Sequence, residues 1–454
     1  MDPILTFLSD YGVSLNFEEL SSEVVHEVKR RTIDALGCAM GAYFMEPAKI
    51  ARIHASEASA NPGATLLGTR HRTTPELAAF ANGVMVRYLD FNDTSGSKKS
   101  GHPSDNIPAV LAAAEYVGAD ARTVITGIVL AYEIQDRFGQ ASTIWNNGWD
   151  NITNTAISAA AGAGKVLGLN RQQMSNALAL AATANIALLQ TRVGTLSMWK
   201  GCAAANASRN GVFHALMARL GLTGPEEAFA GSRGFLRQVS GPMELPEFGG
   251  KDRPFTILTD KLKFFPTDHE AQCTVLPVLE LRQALDGKVE DIEKVIIETY
   301  ELALEIAADS KDKWAPTTRE TADHSIPYVV AVALMNGTVW LDAFEEEQIR
   351  DPKIHTLMQK IEVRENKEYS RLHPESNCFR IEVITRSGGR HVREVRYPKG
   401  HPKNPMTDQE IEAKFRRLTE SVFPPDRVEQ ILERLWNLEK VQNVEQIVTL
   451  FELP

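Results

Sequence analysis

The sequence has few cysteines, and none of them are closely spaced. Its 454 residues include only four, Cys38, Cys202, Cys273 and Cys378, with no C-x-x-C pair. Structural zinc sites, disulfide frameworks and iron–sulfur clusters use paired or clustered cysteines, so this pattern argues against all three. We therefore expect four free thiols in a protein of a reducing compartment.

Positive charge and long apolar runs are also scarce. The formal net charge is −10, which argues against a nucleic-acid partner because phosphate binding needs a basic surface. The segment that comes closest to a membrane span, 176–190, contains Asn, Thr and many alanines. The first residues, MDPILTFLSDYG, fit neither a secretory signal nor an arginine-rich transit peptide. A cytoplasmic protein without nucleic-acid or membrane partners is therefore expected.

Helical patterns account for most of the chain. Apolar residues recur at helical spacing over 18–43, where small residues allow another helix to approach closely. Further alanine-rich helices are predicted at 109–118, 122–139, 153–167, 172–190 and 201–220. A capping box at Thr407 and Glu410 then begins a helical C-terminal segment.

Strand patterns are confined to the part of the chain after Phe264. Clusters rich in β-branched residues predict strands at 295–299, 360–364, 378–385 and, after a Ser-Gly-Gly hairpin turn, 391–397. A chain of 454 residues is too long for one ordinary core. We predict a mainly α fold in three regions: an all-α domain over 1–265, an α+β domain over 266–399, and C-terminal helices over 400–454.

One polar loop stands out between two apolar helices. It reads RYLDFNDTSGSKKSGHPSD from Arg87 to Asp105. Solvated loops collect such residues without any chemical role. However, a carboxylate and an imidazole in one loop, here Asp93 and His102, can divide base and acid roles. The cations that could form a local basic pocket for an anionic substrate are Lys98, Lys99, Arg192 and Lys200.

Three other polar positions have both an ordinary and a functional interpretation. Asp150 is placed to cap a helix. Lys200 precedes a helix whose dipole favours anions, a mismatch that is explained if the lysine and the helix amides face a shared carboxylate. Tyr328 follows Pro327 at a predicted helix start, where a tyrosine is usually a core residue with its hydroxyl satisfied.

These residues resemble the MmgE/PrpD family, which includes 2-methylcitrate dehydratases, cis-aconitate decarboxylases and iminodisuccinate epimerases. The resemblance is carried by LDFNDT, GHPSDN, the segment around Lys200, KFFPTDHEAQ and DHSIPY. Asp150 and Gln272 agree with the dehydratase branch, where decarboxylases have histidines. One departure is that dehydratases tend to have histidine where Glu270 stands, next to His269.

The resemblance implies a dehydratase of propionate metabolism that converts 2-methylcitrate or a similar tricarboxylate to 2-methyl-cis-aconitate without a metal or cofactor. It implies that the α+β domain is an inserted lid and that the protein is a homodimer through the helical domain. The implied catalytic residues are Asp93, His102, Lys200 and Tyr328. The implied substrate-binding residues are Thr94, Asp150, Arg192, His269 and Gln272.

Two alternatives stay open at this point. The first is another reaction of the family, decarboxylation of cis-aconitate or epimerisation of a dicarboxylate, in the same pocket. The second is a noncatalytic metabolite-binding protein, which the departure at Glu270 favours. In either case the residues from separate segments should converge on a cleft between the domains. Asp93, His102 and Lys200 should lie together in the helical part.

Overall fold

The computed structural model describes residues 2–96, 101–142 and 144–453. Helices dominate it, as predicted. The first part contains α1 (Pro3–Ser14), α2 (Ser22–Gly41), α3 (Glu46–Ser56), two short strands β1 (Ala64–Thr65) and β2 (Arg72–Thr73), α4 (Pro75–Tyr88), α5 (Ile107–Val117), α6 (Ala121–Ala141), α7 (Ile152–Val166), α8 (Arg171–Ala184) and α9 (Trp199–Arg219).

The middle and last parts contain shorter elements. The middle part has α10 (His269–Ala284), β3 (Ile292–Thr299), α11 (Glu301–Ala307), α12 (Lys311–Trp314), α13 (Arg319–Ala322), α14 (Ile326–Asn336), α15 (Glu346–Ile349), α16 (Pro352–Met358), β4 (Ile361–Glu365), α17 (Lys367–Leu372), β5 (Phe379–Thr385) and β6 (Arg390–Val395). The last part has α18 (Asp408–Thr419), α19 (Pro425–Trp436) and α20 (Glu445–Val448).

Local sequence explains where several helices begin and end. The predicted capping box is present at α18, where the Thr407 side chain accepts from the Glu410 amide and the Glu410 side chain accepts from the Thr407 amide. The predicted helix over 172–190 ends earlier, at Ala184. The following backbone pairs with the segment before α7 instead, with the Asp150 amide donating to the Ala187 carbonyl at 2.8 Å.

A four-stranded sheet contains all four predicted strands. Its order is β4-β3-β5-β6, in which β3 and β4 are parallel and the other pairs are antiparallel. The predicted hairpin connects β5 to β6, and Gly388 there has φ +85°, a conformation that glycine adopts without strain. Helices α10 and α14 pack beside this sheet.

Buried apolar side chains form two main clusters. One contains residues between Leu5 and Leu262 together with residues between Met406 and Phe451. The other contains residues between Phe265 and Val383. The four cysteines are buried and free, as predicted. Among the described helices, none is long and apolar enough to span a membrane. The domain boundaries and the lid role of the middle part remain predictions.

Glycines allow unusually close contacts between helices of the first part. A Cβ added to Gly211 of α9 would lie 2.7 Å from the Ala160 amide nitrogen of α7. A Cβ on Gly162 of α7 would lie 2.9 Å from the Gly127 carbonyl oxygen of α6. Both contacts are with backbone, which cannot rotate away as a side chain can. The spacing between α6, α7 and α9 therefore depends on these small residues.

Replacing Gly211 with alanine should destabilise the protein, even though alanine favours helices. The added methyl group would overlap α7 backbone, and overpacking of this kind costs about 1–3 kcal/mol. Thermal and urea unfolding of Gly211→Ala measure the loss. The matched control is Gly250→Ala, where an added Cβ meets nothing within 4 Å. Equal stability of the two variants and the wild type would contradict the close packing.

Candidate active site

A cavity of about 390 Å³ lies where the first part of the chain meets the middle part. Loops and helix ends from both parts form its wall. Its polar lining includes Arg87, Thr94, His102, Asn151, Arg192, Lys261, Asp268, His269, Glu270, Lys313, His324 and Asn377. This mixture of cations, imidazoles and carboxyls in one enclosed space can bind an anion and transfer protons.

Asp90 is a buried anion behind the cavity wall, where it contacts the lining residues Arg87 and His324. Its side chain is 1% exposed and forms ion pairs with Arg87, with Lys200 at 3.3 Å and with Lys263 at 3.1 Å. Burial alone would raise its pKa, but these three cations outweigh burial and hold the pKa of Asp90 well below its usual value. The backbone of Asp90 has φ +51°, which aspartate tolerates better than most residues.

Both ring nitrogens of His102 form hydrogen bonds with the protein. Its Nδ1 lies 2.5 Å from the Asp93 carbonyl oxygen, and its Nε2 lies 2.8 Å from the Arg87 guanidinium. Since the guanidinium can only donate, Nε2 is the acceptor and Nδ1 carries the proton. Burial and the nearby Arg87 and Lys263 lower the pKa of His102 well below its usual value. The imidazole is therefore uncharged near neutral pH.

The Asp93 carboxylate does not line the cavity. Its side chain is fully buried, with one oxygen accepting from the Ser104 amide at 3.0 Å and the other from the Tyr132 hydroxyl at 2.7 Å. Tyr132 belongs to α6, which thus holds the loop in place. The contact of Asp93 with the candidate site is through its backbone carbonyl, which orients His102.

Arg192 and Thr94 line the cavity, whereas Asp150 lies behind Arg192. The Asp150 carboxylate accepts from Arg192 Nε at 2.8 Å and from its Nη2 at 3.4 Å. Thr94 forms an antiparallel backbone bridge with Lys261, with both N···O distances at 2.8 Å. This bridge ties the polar loop to the chain segment that leads into α10. Lys98 and Lys99 lie outside the described residues.

His324 is a second imidazole on the cavity wall. Its Nδ1 contacts the Asp323 carboxyl, and its Nε2 lies 3.5 Å from an Asp90 oxygen and 3.9 Å from an Asp268 oxygen. Burial and Lys200 lower the pKa of His324 well below its usual value, so this ring too is uncharged. Burial raises the pKa of the adjacent Asp323 to about 7.

The N-terminal turn of α10 brings His269 and Glu270 to the cavity. The side chain of Gln272 accepts from the Phe264 amide at 2.9 Å and lies 3.5 Å from His269 Nδ1. Glu270 accepts from the Tyr300 hydroxyl. Burial and the nearby Asp268 raise the pKa of Glu270 to about 7, where a carboxyl can either donate or accept a proton.

Two further candidates from the sequence, Lys200 and Tyr328, do not line the cavity. Lys200 is 2% exposed, does not line the cavity and reaches the site through Asp90. Burial lowers its pKa to about 8, although Asp90 opposes that shift. Tyr328 is in the second apolar cluster, and its hydroxyl donates to the Ala343 carbonyl at 2.6 Å. Tyr328 is thus a core residue with a satisfied hydroxyl, away from the cavity lining.

Thr94, His102, Arg192 and His269 are the sequence candidates that line the cavity. Sequence analysis assigned no role to Arg87, Asp90, Lys263 or His324. All four stand in segments quoted above: Arg87 and Asp90 in the polar loop, Lys263 in KFFPTDHEAQ and His324 in DHSIPY. The role of Lys263 follows from its contact with Asp90, which joins distant parts of the chain, whereas Arg87 is only three residues from Asp90 and also contacts His102.

Within the described part of the chain, two groups of side chains have the donor types of a metal site. They are His269 with Glu270 and Cys273, and Asp90 with Asp268 and His324, with donor atoms within 4.8 Å in each group. Asp90 already neutralises three buried cations, so a divalent ion there would compete with them. In the other group, burial raises the pKa of the Cys273 thiol well above its usual value, which disfavours the thiolate that binds metal.

Comparisons with known proteins agree over both parts of the chain. The MmgE/PrpD N-terminal domain model matches residues 6–247, and the MmgE/PrpD C-terminal domain model matches residues 265–438. The 2-methylcitrate dehydratase of Salmonella typhimurium is 30% identical over 446 residues, covering 91% of this chain and 90% of that protein.

Two further relatives are named for two different reactions, dehydration and decarboxylation. The mitochondrial 2-methylcitrate dehydratase of Yarrowia lipolytica is 29% identical, covering 95% of this chain and 86% of that protein. The cis-aconitate decarboxylase-like protein oryM of Aspergillus oryzae is 25% identical, covering 98% of this chain and 96% of that protein.

Replacing Asp90 with asparagine should strongly destabilise the protein. Asparagine keeps the shape and tolerates the backbone conformation, but it leaves Arg87, Lys200 and Lys263 without their shared anion. Breaking a buried ion pair in this way costs about 3–5 kcal/mol. Urea unfolding followed by circular dichroism measures the loss. The control Asp10→Asn removes an exposed pair with Arg171 and should change stability little. Similar midpoints for both variants would refute the role of Asp90.

Proposed function

The chain belongs to the MmgE/PrpD family, and on that premise we propose that it is a hydro-lyase acting on 2-methylcitrate or a closely similar tricarboxylate. The product of the proposed reaction is 2-methyl-cis-aconitate. One observation carries the proposal: two uncharged imidazoles, His102 and His324, line a cavity that also contains cationic side chains. Elimination of water next to a carboxylate needs both kinds of group.

The proposed reaction removes a proton and a hydroxyl group from neighbouring carbons. A base takes the proton beside a substrate carboxylate, and the electron pair of that C–H bond forms the new double bond. The C–O bond breaks as an acid donates a proton to the hydroxyl, which leaves as water. We assign removal of the proton to the uncharged imidazole of His102, whose Nε2 accepts it once the hydrogen bond from Arg87 opens. The proton donor is the Glu270 carboxyl, whose pKa of about 7 allows it to carry a proton. Cations near the carboxylates stabilise the negative charge that develops on them.

The other residues bind substrate or position the groups that do. Arg192, Thr94 and His269 bind the substrate. Asp150 positions Arg192 and Gln272 positions His269, while Asp93 positions His102 through its carbonyl. Lys200 does not contact the substrate and acts indirectly, by neutralising the Asp90 carboxylate. In this scheme Asp150 and Gln272 occupy supporting positions where, by resemblance, decarboxylases have histidines, and this favours dehydration over decarboxylation.

We further propose that the elimination needs no metal, and that the enzyme is a cytoplasmic component of propionate metabolism. The charge balance around Asp90 supports metal independence, because its carboxylate already compensates three buried cations. Reversible loss of activity on chelation, with recovery on adding iron, would contradict metal independence.

Incubation of the purified protein with 2-methylcitrate should yield 2-methyl-cis-aconitate, identified by NMR and mass spectrometry. The variant His102→Asn should lower kcat about 100-fold or more, because general acid–base catalysis contributes at least that much. The control His54→Asn changes an exposed histidine and should keep wild-type activity. Itaconate from cis-aconitate as the main product would favour decarboxylation. Tight tricarboxylate binding without turnover would favour a binding protein.

We propose that the active form is a homodimer assembled through the helical part. Supporting this, large apolar side chains from the end of α8 to just beyond α9 are exposed: Ile186, Leu188, Val193, Met198, Trp199, Phe213, Leu220 and Leu222. Three of them, Ile186, Leu188 and Trp199, line a groove of about 540 Å³ that also includes residues of α9. Apolar exposure on this scale is typical of an interaction surface.

Sedimentation at micromolar concentration should give a species of twice the 50.2 kDa chain mass. Phe213→Glu should shift it toward the monomer, because burial of an unpaired carboxylate opposes association. Phe7→Glu changes an equally exposed aromatic residue outside this surface and should leave the dimer intact. A monomer-sized species for the wild type would refute the proposal.

A further inference from the structure

Most cations around the cavity are already neutralised by the protein itself. Arg87, Lys200 and Lys263 share the Asp90 carboxylate, with Nζ···O distances of 3.3 Å and 3.1 Å for the two lysines. Arg192 Nε is 2.8 Å from the Asp150 carboxylate. A substrate carboxylate at any of these cations must compete with an existing ion pair.

Lys261 and Lys313 differ from this group. Both line the cavity and both are 4% exposed. Lys261 Nζ donates to the Asn377 side-chain oxygen at 3.0 Å, and within the described ranges neither lysine forms an ion pair with a carboxylate. Burial lowers the pKa of each lysine, and it outweighs the attraction of the surrounding acids. A buried ammonium without an anion is costly, so these two positions favour an anionic ligand.

His269 adds a neutral donor on the Lys261 side. The Gln272 carbonyl oxygen is used by the Phe264 amide, so the Gln272 amino group faces His269 Nδ1 at 3.5 Å. That contact makes Nδ1 the acceptor and leaves the proton on Nε2. Nε2 is buried and makes no hydrogen bond of ordinary length among the residues that the structure describes, although Asn377 lies close enough to oppose the lowering of the ring pKa by burial. Such a donor is suited to a carboxylate oxygen.

The acids that line the cavity have other roles. Asp268 caps α10, accepting from the Glu270 amide at 2.9 Å, and Glu270 accepts from the Tyr300 hydroxyl. Glu305 and Asp309 are exposed, so water screens them. The nearest described acids therefore leave the ammonium groups of Lys261 and Lys313 without direct ion-pair partners.

We propose that Lys261 and Lys313 are the carboxylate anchors of this cavity, with Lys261 and His269 Nε2 holding one carboxylate of the substrate and Lys313 holding another. The ligand class is a small molecule with at least two carboxylates. This inference rests on the proposed function, which it deepens by naming two side chains that hold the substrate carboxylates. Lys261 is held beside the polar loop by its backbone bridge to Thr94.

The test is calorimetric titration of citrate and 2-methylcitrate into wild-type protein and the variants Lys261→Met, Lys313→Met and Lys251→Met. Methionine keeps the side-chain length without the charge. Each cavity variant should bind about 10- to 100-fold more weakly, the range for losing a charged hydrogen bond. Lys251 is exposed, and its variant should bind like wild type. Without ligand, the cavity variants should melt at the wild-type temperature or higher, because an unpaired buried cation is removed.

Three outcomes separate the two proposals. Wild-type affinity in both folded cavity variants would overturn the inference and leave the dehydratase proposal standing. Weakened binding in these variants, combined with no turnover of 2-methylcitrate by the wild type, would support the anchors and refute the proposed reaction. A wild-type protein that binds neither compound at millimolar concentration would overturn the inference together with the proposed substrate class.

Discussion

The candidate site depends on the burial of one carboxylate, that of Asp90, among three cations. Arg87, Lys200 and Lys263 cannot be buried there without an anion, since an isolated buried charge costs several kcal/mol. In return they keep Asp90 ionised, holding its pKa well below the usual range. A second nitrogen of the Arg87 guanidinium donates a hydrogen bond to His102 Nε2. The protonation state of His102 on the cavity wall thus depends on the ion pairs between Asp90 and its three cations.

Sequence patterns predicted the elements well because those depend on local chemistry. The alternation of β-branched residues, the Thr407–Glu410 capping box and the Ser-Gly-Gly turn all specify structure within a few residues. The extent of the helix predicted over 172–190 was wrong. There, backbone pairing between Asp150 and Ala187, which are far apart in sequence, ends the helix at Ala184. A nonlocal hydrogen bond of this kind leaves no trace in helical periodicity.

The site was harder to predict for the same reason. Sequence motifs placed Asp93 and His102 in one loop, but the side chain of Asp93 is turned toward Tyr132 of α6 and away from the cavity. The motif around Lys200 does not reveal that Lys200 pairs with Asp90, because helices α5 to α8 lie between the two residues along the chain. Residue type indicates what a group can do, whereas long-range contacts determine which groups face the ligand and which support them.

The cations around the cavity thereby divide into two sets with different roles. Those paired with Asp90 orient the imidazoles and the wall, while Lys261 and Lys313, together with Arg192, are available to the ligand. A crystal structure of the protein with citrate bound tests this account most directly. It should place citrate in the cavity, with carboxylate oxygens about 3 Å from Lys261 Nζ and Lys313 Nζ. Citrate bound outside the cavity, or inside it with no carboxylate oxygen near Lys261 and Lys313, would contradict the account.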